Sequence, residues 1–381
     1  MELLKVDPLE QLLQAKRAEG AFDSSGDFTI ELSAARAKLA KFQLADPDYF
    51  VLKLLQAAVA GGAVRGSFRF RLSYLRFLFA LPEDSVLFDQ DRLFEGLALP
   101  ALCPPGAIRH LAISITAGLT THPLRVVWST WRRGQLQQLE FDFKEPRGFV
   151  SSQRPNWATH DSCCYFRIER NLARSGLVID PSRARRVIAQ RCRFFPMPLE
   201  LEGEPFVPPR PTGWLDGQDC LLQLIEPGTA LRLKGGAGGK RVEPGLFLGG
   251  PKFFSELHGA DSSRWDSCAL AVWLPLEPKG SSLFRLTNHG VSMDPVRFDT
   301  RPNGMLVVGD GTGLKTDLSE MGWAVDEEWQ AYARNIEARV QAGLLRLEPH
   351  LDGLARWGRL LPFANQDRVE RVRRTFYSRL D

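Results

Sequence analysis

The chain has 381 residues, 44% hydrophobic and 25% charged, and its 49 basic and 45 acidic side chains leave a formal net charge of +4. That length supports two domains with a sizeable core, and so small an excess excludes an argument for nucleic acid from bulk charge alone. Six cysteines without a CxxC pair exclude a disulfide framework and leave reduced thiols in a cytoplasmic protein as the expectation.

Residues 1–24 read as a helical arm: Leu3, Leu4, Leu9, Leu12 and Leu13 form one apolar stripe and Gly20 ends it. The first eight residues carry acidic groups and no apolar core, so no secretion signal is expected. No uninterrupted apolar run reaches transmembrane length, and no membrane role is expected. Residues 28–32 read as extended, and Ser33 can cap a helix through 42. Asp46-Pro47-Asp48 marks the entry of the next helix, with acidic groups near the positive end of its dipole. There Val51, Leu54, Leu55, Ala58 and Val59 share one face, while positions 53, 57 and 60, spaced i, i+4, i+7, share another.

Alternation over 67–81 predicts paired strands. An amphipathic helix is expected over 108–119, after Pro104-Pro105-Gly106. Two strands around Arg132-Arg133-Gly134 predict a hairpin over 124–143. Residues 146–157 read as a lid-like loop, 162–169 as a strand and 181–194 as a helix running into Phe194-Phe195-Pro196-Met197-Pro198. The proline-rich stretch at 202–214 marks a domain boundary. Strand-like runs at 220–225, 231–234, 268–274 and 283–286 precede helical patterns at 326–347 and 367–380. Strands first and helices last predict an α+β second domain.

Three constellations look chemical. Gly309-Asp310-Gly311-Thr312-Gly313 follows a strand-like run, and such loops can present backbone N–H groups to anions; a plain glycine-rich connection to a helix is the favoured reading. Residues 234–241 miss the P-loop spacing, with Lys234 and Arg241 where Gly and Ser or Thr are required, so a hairpin is expected. His160 and Cys163 have zinc-like spacing, but no second pair accompanies them and packing is favoured. Arg368, Arg371 and Arg374 on the last helix form a candidate surface for an acidic partner or nucleic acid, with a solvated helix face the favoured reading, and Arg65, Arg69, Arg71 and Arg76 form a second basic surface.

The segment Lys53-Leu54-Leu55-Gln56-Ala57-Ala58-Val59-Ala60-Gly61-Gly62-Ala63 resembles the first ATP-binding helix, roughly E-L-x-x-N-A-x-D-A-G-A, of the superfamily that unites gyrase, HtpG-type chaperones, sensor histidine kinases and MutL (GHKL). The helix at 108–119, the hairpin at 124–143 and the basic helix exit at 191–199 follow in the expected order, so the resemblance covers about residues 25–200. It implies a Bergerat-type α/β sandwich at 25–204, after the arm at 1–24, and an α+β transducer-like domain with C-terminal helices at 205–381.

The departures bear on chemistry. The family's Glu activates water and needs a carboxylate; Lys53 stands there. The family's Asn gives Mg²⁺ an oxygen; Ala57 stands there, and Ala60 replaces the Asp. At the adenine-contacting loop only Asp84 offers a carboxylate, and of the lid glycines only Gly106 remains. By the resemblance, Lys315 corresponds to a transducer lysine that reaches the γ-phosphate. No catalytic residue, resident metal or required cofactor is therefore expected; ATP held without hydrolysis is the most such a pocket would carry. The leading expectation is a non-enzymatic pseudo-ATPase used for protein–protein interaction or assembly, with a homodimer as an implication of the resemblance. Two alternatives are an ATP-binding, chaperone-like switch in which Lys53 touches a phosphate and nucleic-acid binding through the arginine surfaces.

Overall fold

The computed structural model describes residues 44, 46–71, 73–98, 100, 103–121, 123–141, 147–169, 181–207, 220–234, 240–248, 265–276, 280–317, 320–351 and 363–380. The arm expected at 1–24, the extended segment at 28–32 and the helix at 34–42 lie outside the described residues.

A 3₁₀ turn at Pro47–Tyr49 opens helix α1 (Phe50–Ala60). The next two strands are β1 (Arg65–Phe70) and β2 (Tyr74–Ala80), paired as the alternation predicts. Phe68, Phe70, Leu75, Phe77 and Phe79 share the buried face, and Arg69 and Arg76 lie on the other. Phe68 stacks on Phe77 with centroids 4.1 Å apart, and Phe79 meets Trp128 at 5.8 Å, so an aromatic ridge runs across strands.

Helix α2 (Gln90–Ala98) was not anticipated from the sequence. Its signal is Asp89, whose carboxylate accepts from the Arg92 N–H at 3.1 Å as an N-cap. Helix α3 (Ala107–Thr120) follows, then β3 (Arg125–Arg132) and β4 (Gln135–Phe141). Their connection is the expected tight turn, with Arg133 and Gly134 at φ 51° and 72°. The lid-like loop expected at 146–157 is in part an edge strand, β5 (Arg147–Ser151). Its five residues are mostly exposed, so the one-sided apolar alternation that marks a strand is missing. Strand β6 (Cys163–Glu169), helix α4 (Pro181–Arg191), β7 (Leu199–Leu201) and β8 (Glu204–Pro205) complete an eight-stranded sheet. Its order is β5-β4-β3-β6-β2-β1-β7-β8; among these described strands only β1–β7 is parallel. Residues of α1, α3 and α4 share one core with its aromatic face. Cys164 joins that core while Cys163 packs on the opposite face with Trp131, as strand alternation requires.

The second sheet begins at Cys220, fifteen positions after the first ends. It contains β9 (Cys220–Lys234), β10 (Lys240–Glu243), β11 (Leu246–Leu248), β12 (Trp265–Pro275), β13 (Ser282–Asn288), β14 (Val291–Ser292), β15 (Val296–Phe298) and β16 (Leu306–Asp310). The order is β10-β11-β9-β12-β16-β13-β14, with β15 on β13, and β13–β16 is the parallel pair. The runs expected at 220–225 and 231–234 are one strand, irregular where Pro227 faces Cys268. Helices α5 (Glu327–Leu347) and α6 (Phe363–Leu380) end the chain's described part. Asp326 caps α5 by accepting from the Trp329 N–H at 3.0 Å. From there Trp329, Ala333, Ile336, Val340, Leu344 and Leu347 recur at helical spacing and are buried in the second core. The fold is thus α+β: the described residues form two mixed sheets with six helices, and helices come last among them.

Among the described residues no helix is long and apolar enough to cross a membrane. All six thiols are free.

Candidate functional site

Helix α1 is buried on every side from Phe50 to Ala58. Sequence periodicity gave it one apolar face; the structure covers the other face as well, with loops from the second sheet. The first is the β13–β14 turn. His289 and Gly290 adopt φ 46° and 78° between the paired Asn288 and Val291, the backbone of a two-residue hairpin turn. Gly290 is required on two grounds: a Cβ there would stand 2.4 Å from Pro196 Cδ, and its φ suits few other residues. The turn delivers the Asn288 carbonyl to Gln56 Nε2, which donates at 3.0 Å. It also brings His289 Nδ1 within 3.1 Å of His110 Nε2 on α3.

The second loop is closed at its base by a bridge between Thr316 and Trp323. The Gly322 N–H donates to Asp317 Oδ1 at 3.2 Å and the Glu320 N–H to the Asp317 carbonyl at 3.0 Å. Glu320 sits at the tip in a left-handed conformation, φ 54°, a backbone strain that such a site can carry when its surroundings fix it. Its carboxylate reaches Lys53, whose Nζ lies 2.9 Å from Oε2 and donates to the Glu320 carbonyl at 3.3 Å. Arg109 on α3 donates through Nε to Oε1 at 3.0 Å and through Nη2 to the same oxygen. Lys53 is fully buried, Glu320 is 7% exposed and Arg109 22%. Behind them Val291 and Met321 enter the core of the first sheet, and Arg191 on α4 pairs with Asp294 at 2.7 Å.

Electrostatics follow from this packing. Burial pushes the Glu320 carboxyl up, but Lys53 and Arg109 outweigh it and hold the group below its ordinary 4.5. It is a carboxylate at neutral pH. Burial, then the charges of Lys53, His289 and Arg109, push the His110 imidazole well below 6.5. Burial also lowers His289, against the opposing pull of Asp310. Both rings are neutral at pH 7, one donating to the other. Glu320 is engaged by two cations, so it is not an available general base. Among the described residues no group of three His, Cys, Asp or Glu side chains is arranged to hold a metal.

Of the residues the sequence singled out, Lys53 and Ala57 lie on α1, both fully buried. Asp84 is exposed in a turn next to Ser85, whose Oγ donates to the Gly61 carbonyl at the end of α1 at 2.7 Å. Gly106 precedes α3 with φ 145° and open space around it. Lys315 is 63% exposed at the base of the loop whose tip is Glu320, and pairs with Asp326 at 3.3 Å and Glu328 at 3.4 Å. Arg371 and Arg374 are exposed on α6, Arg374 beside Glu370 at 3.7 Å; the Arg368 side chain lies outside the described residues. The glycine stretch at 309–313 leads into the turn before that loop, not into a helix, and Gly311 packs against Trp323. Sequence reading missed Gln56, Arg109, His110, Asn288, His289 and Glu320. Arg109-His110, two polar residues inside an apolar helix, and Asn288-His289-Gly290, a turn signal, were the available clues.

No protein-family model matches the chain, and no curated protein sequence does. Among solved structures the chain is similar to the B subunit of DNA gyrase from Myxococcus xanthus, with 11% identity and a TM-score of 0.49 over 84% of this chain and 97% of that one.

Proposed function

We propose that this protein is a non-enzymatic assembly module, a pseudo-ATPase in which the packed α1–α3 pair is a fastening point between the two sheets. The observation that carries this is the Lys53–Glu320–Arg109 cluster. It fills with protein the helix face where the GHKL resemblance implies water activation and magnesium capture. Protein–protein contact draws support from β5. It is a sheet edge that exposes Phe149 by 56% and Val150 by 65%, the kind of strand that accepts a partner's strand. Free thiols fit a reducing cytosol. The test is turnover of Mg-ATP by the purified chain: product formation at the buffer background is expected. Turnover that disappears on substitution of Lys53 or Arg109 would overturn the proposal.

A second reading, an ATP-responsive switch, draws on the same cluster. Lys53 and Arg109 hold a carboxylate with donors suited to phosphate oxygens, so a phosphate competing with Glu320 would release the loop. Under that reading Glu320→Gln gains a magnesium-independent thermal shift with ATP that Lys53→Met removes. Equal melting temperatures with and without ATP in Glu320→Gln remove the switch.

A further inference from the structure

The first sheet has a second face, turned away from α1 and α3, that neither core explains. Register across β1, β2 and β6 sets two rows of side chains there. One row is neutral, Ser67–Leu78–Tyr165; the next is cationic, Arg69–Arg76–Arg167. Like charges on directly opposed residues destabilise a sheet modestly, so three arginines abreast carry a small repulsion that an anion relieves. Arg167 has one: it pairs with Glu169 at 3.0 Å and lies over the Tyr74 ring at 4.6 Å. Arg69 and Arg76 have no carboxylate partner among the described residues. They stand at one end of a cavity of ≈ 530 Å³ floored by the neutral row. Trp157 forms its wall and stacks on Tyr165 with centroids 4.9 Å apart and planes 16° from parallel.

We infer that this cavity binds a small organic phosphate with one flat ring, of the nucleoside-monophosphate type. Arg69 and Arg76 take the phosphate, and the ring lies over Leu78 beside Trp157. Two guanidinium forks match the charge of a phosphate monoester, about −1.5 to −2 at pH 7, and its oxygens. The volume falls in the range of small-ligand pockets. The alternative occupant, a nucleic-acid strand, needs a track of unpaired cations. Among the described residues two further arginines of this face are neutralised: Arg65 by Glu200 at 3.2 Å, Arg125 by Glu169 at 2.7 Å and Glu140 at 3.3 Å. Among the described residues the unpaired charge of this face, Arg69 and Arg76, is enough for one phosphate and not for a backbone.

Isothermal titration of the full chain with adenosine 5′-monophosphate and with phenyl phosphate tests this. Saturable binding of at least one is expected, with adenosine and inorganic phosphate each at least tenfold weaker. The Arg69→Gln/Arg76→Gln variant is expected to bind at least tenfold more weakly while melting no lower than the parent, because it loses a like-charge pair. Trp157→Leu is expected to weaken binding of the ring compounds and leave inorganic phosphate unchanged. Absence of heat with both ring phosphates at millimolar concentration would overturn the inference, as would affinity indifferent to the double substitution. Tighter binding of a fifteen-residue oligothymidylate, growing with its length, would replace the small ligand by a nucleic-acid strand. None of these outcomes bears on ATP turnover, so the proposal about α1 stands or falls separately.

Discussion

Two cationic groups on opposite faces of one sheet have opposite fates. On the helical face Lys53 and Arg109 are withdrawn from water and closed by Glu320 from another part of the chain. On the outer face Arg69 and Arg76 stand side by side at a cavity, and no described carboxylate meets them. Burial with a partner makes a charge part of the architecture, because removing either member leaves a desolvated charge. Partial exposure without a partner leaves a charge available to a ligand and costs the fold little. The difference therefore separates a fastening from a candidate binding site, although both are built from the same kinds of side chain.

Breaking the fastening has the largest expected effect. Glu320→Gln strands two cations at once, and a loss of about 3–5 kcal/mol in urea unfolding is expected. A smaller loss, about 1–3 kcal/mol, is expected for Gly290→Ala, because the new methyl drives the β13–β14 turn off Pro196; equilibrium denaturation measures it.

Acid sharpens the comparison. His110 and His289 have lowered values in the fold, so the unfolded chain binds protons first as pH falls below about 6.5. Stability is expected to decline from there. It should decline further through the carboxylate range, where the depressed Glu320 contributes stability that is present above 4.5 and lost as pH falls through its folded value. Melting temperatures measured from pH 8 to pH 4 read both stages, and His110→Leu is expected to flatten the first. The outer face gives the smallest change and the opposite sign. Arg69→Gln is expected to stabilise the ligand-free protein by about 0.2–1 kcal/mol, read by the same denaturation.

Much of the architecture was legible in the sequence because its signals are local. Alternating Phe and Arg wrote β1 and β2, Arg133-Gly134 wrote a tight turn, and Asp326 wrote the start of α5. Helix α2 was readable from Asp89 and was overlooked. Strand β5 was not readable, since an exposed edge lacks an apolar alternation. The α+β class and the helices at the end followed from element order. The candidate site was legible on one side only. Lys53 and Ala57 stood out because a familiar pattern makes their chemistry anomalous, but nothing near residue 320 announces that its carboxylate will cross 267 positions of sequence to meet Lys53. Ion pairs of that kind are written by tertiary packing, as is the cover that the second sheet's loops put over the Lys53 face of α1.

A double-mutant cycle of Lys53→Met and Glu320→Gln, followed by urea unfolding, probes the buried Lys53–Glu320–Arg109 cluster most directly. Contacting charges in one buried cluster should couple by about 1–3 kcal/mol, the double variant being less destabilised than the sum of the singles. Additive losses, within about 0.3–0.5 kcal/mol, would mean that Lys53 and Glu320 do not meet in solution and that the face of α1 is open.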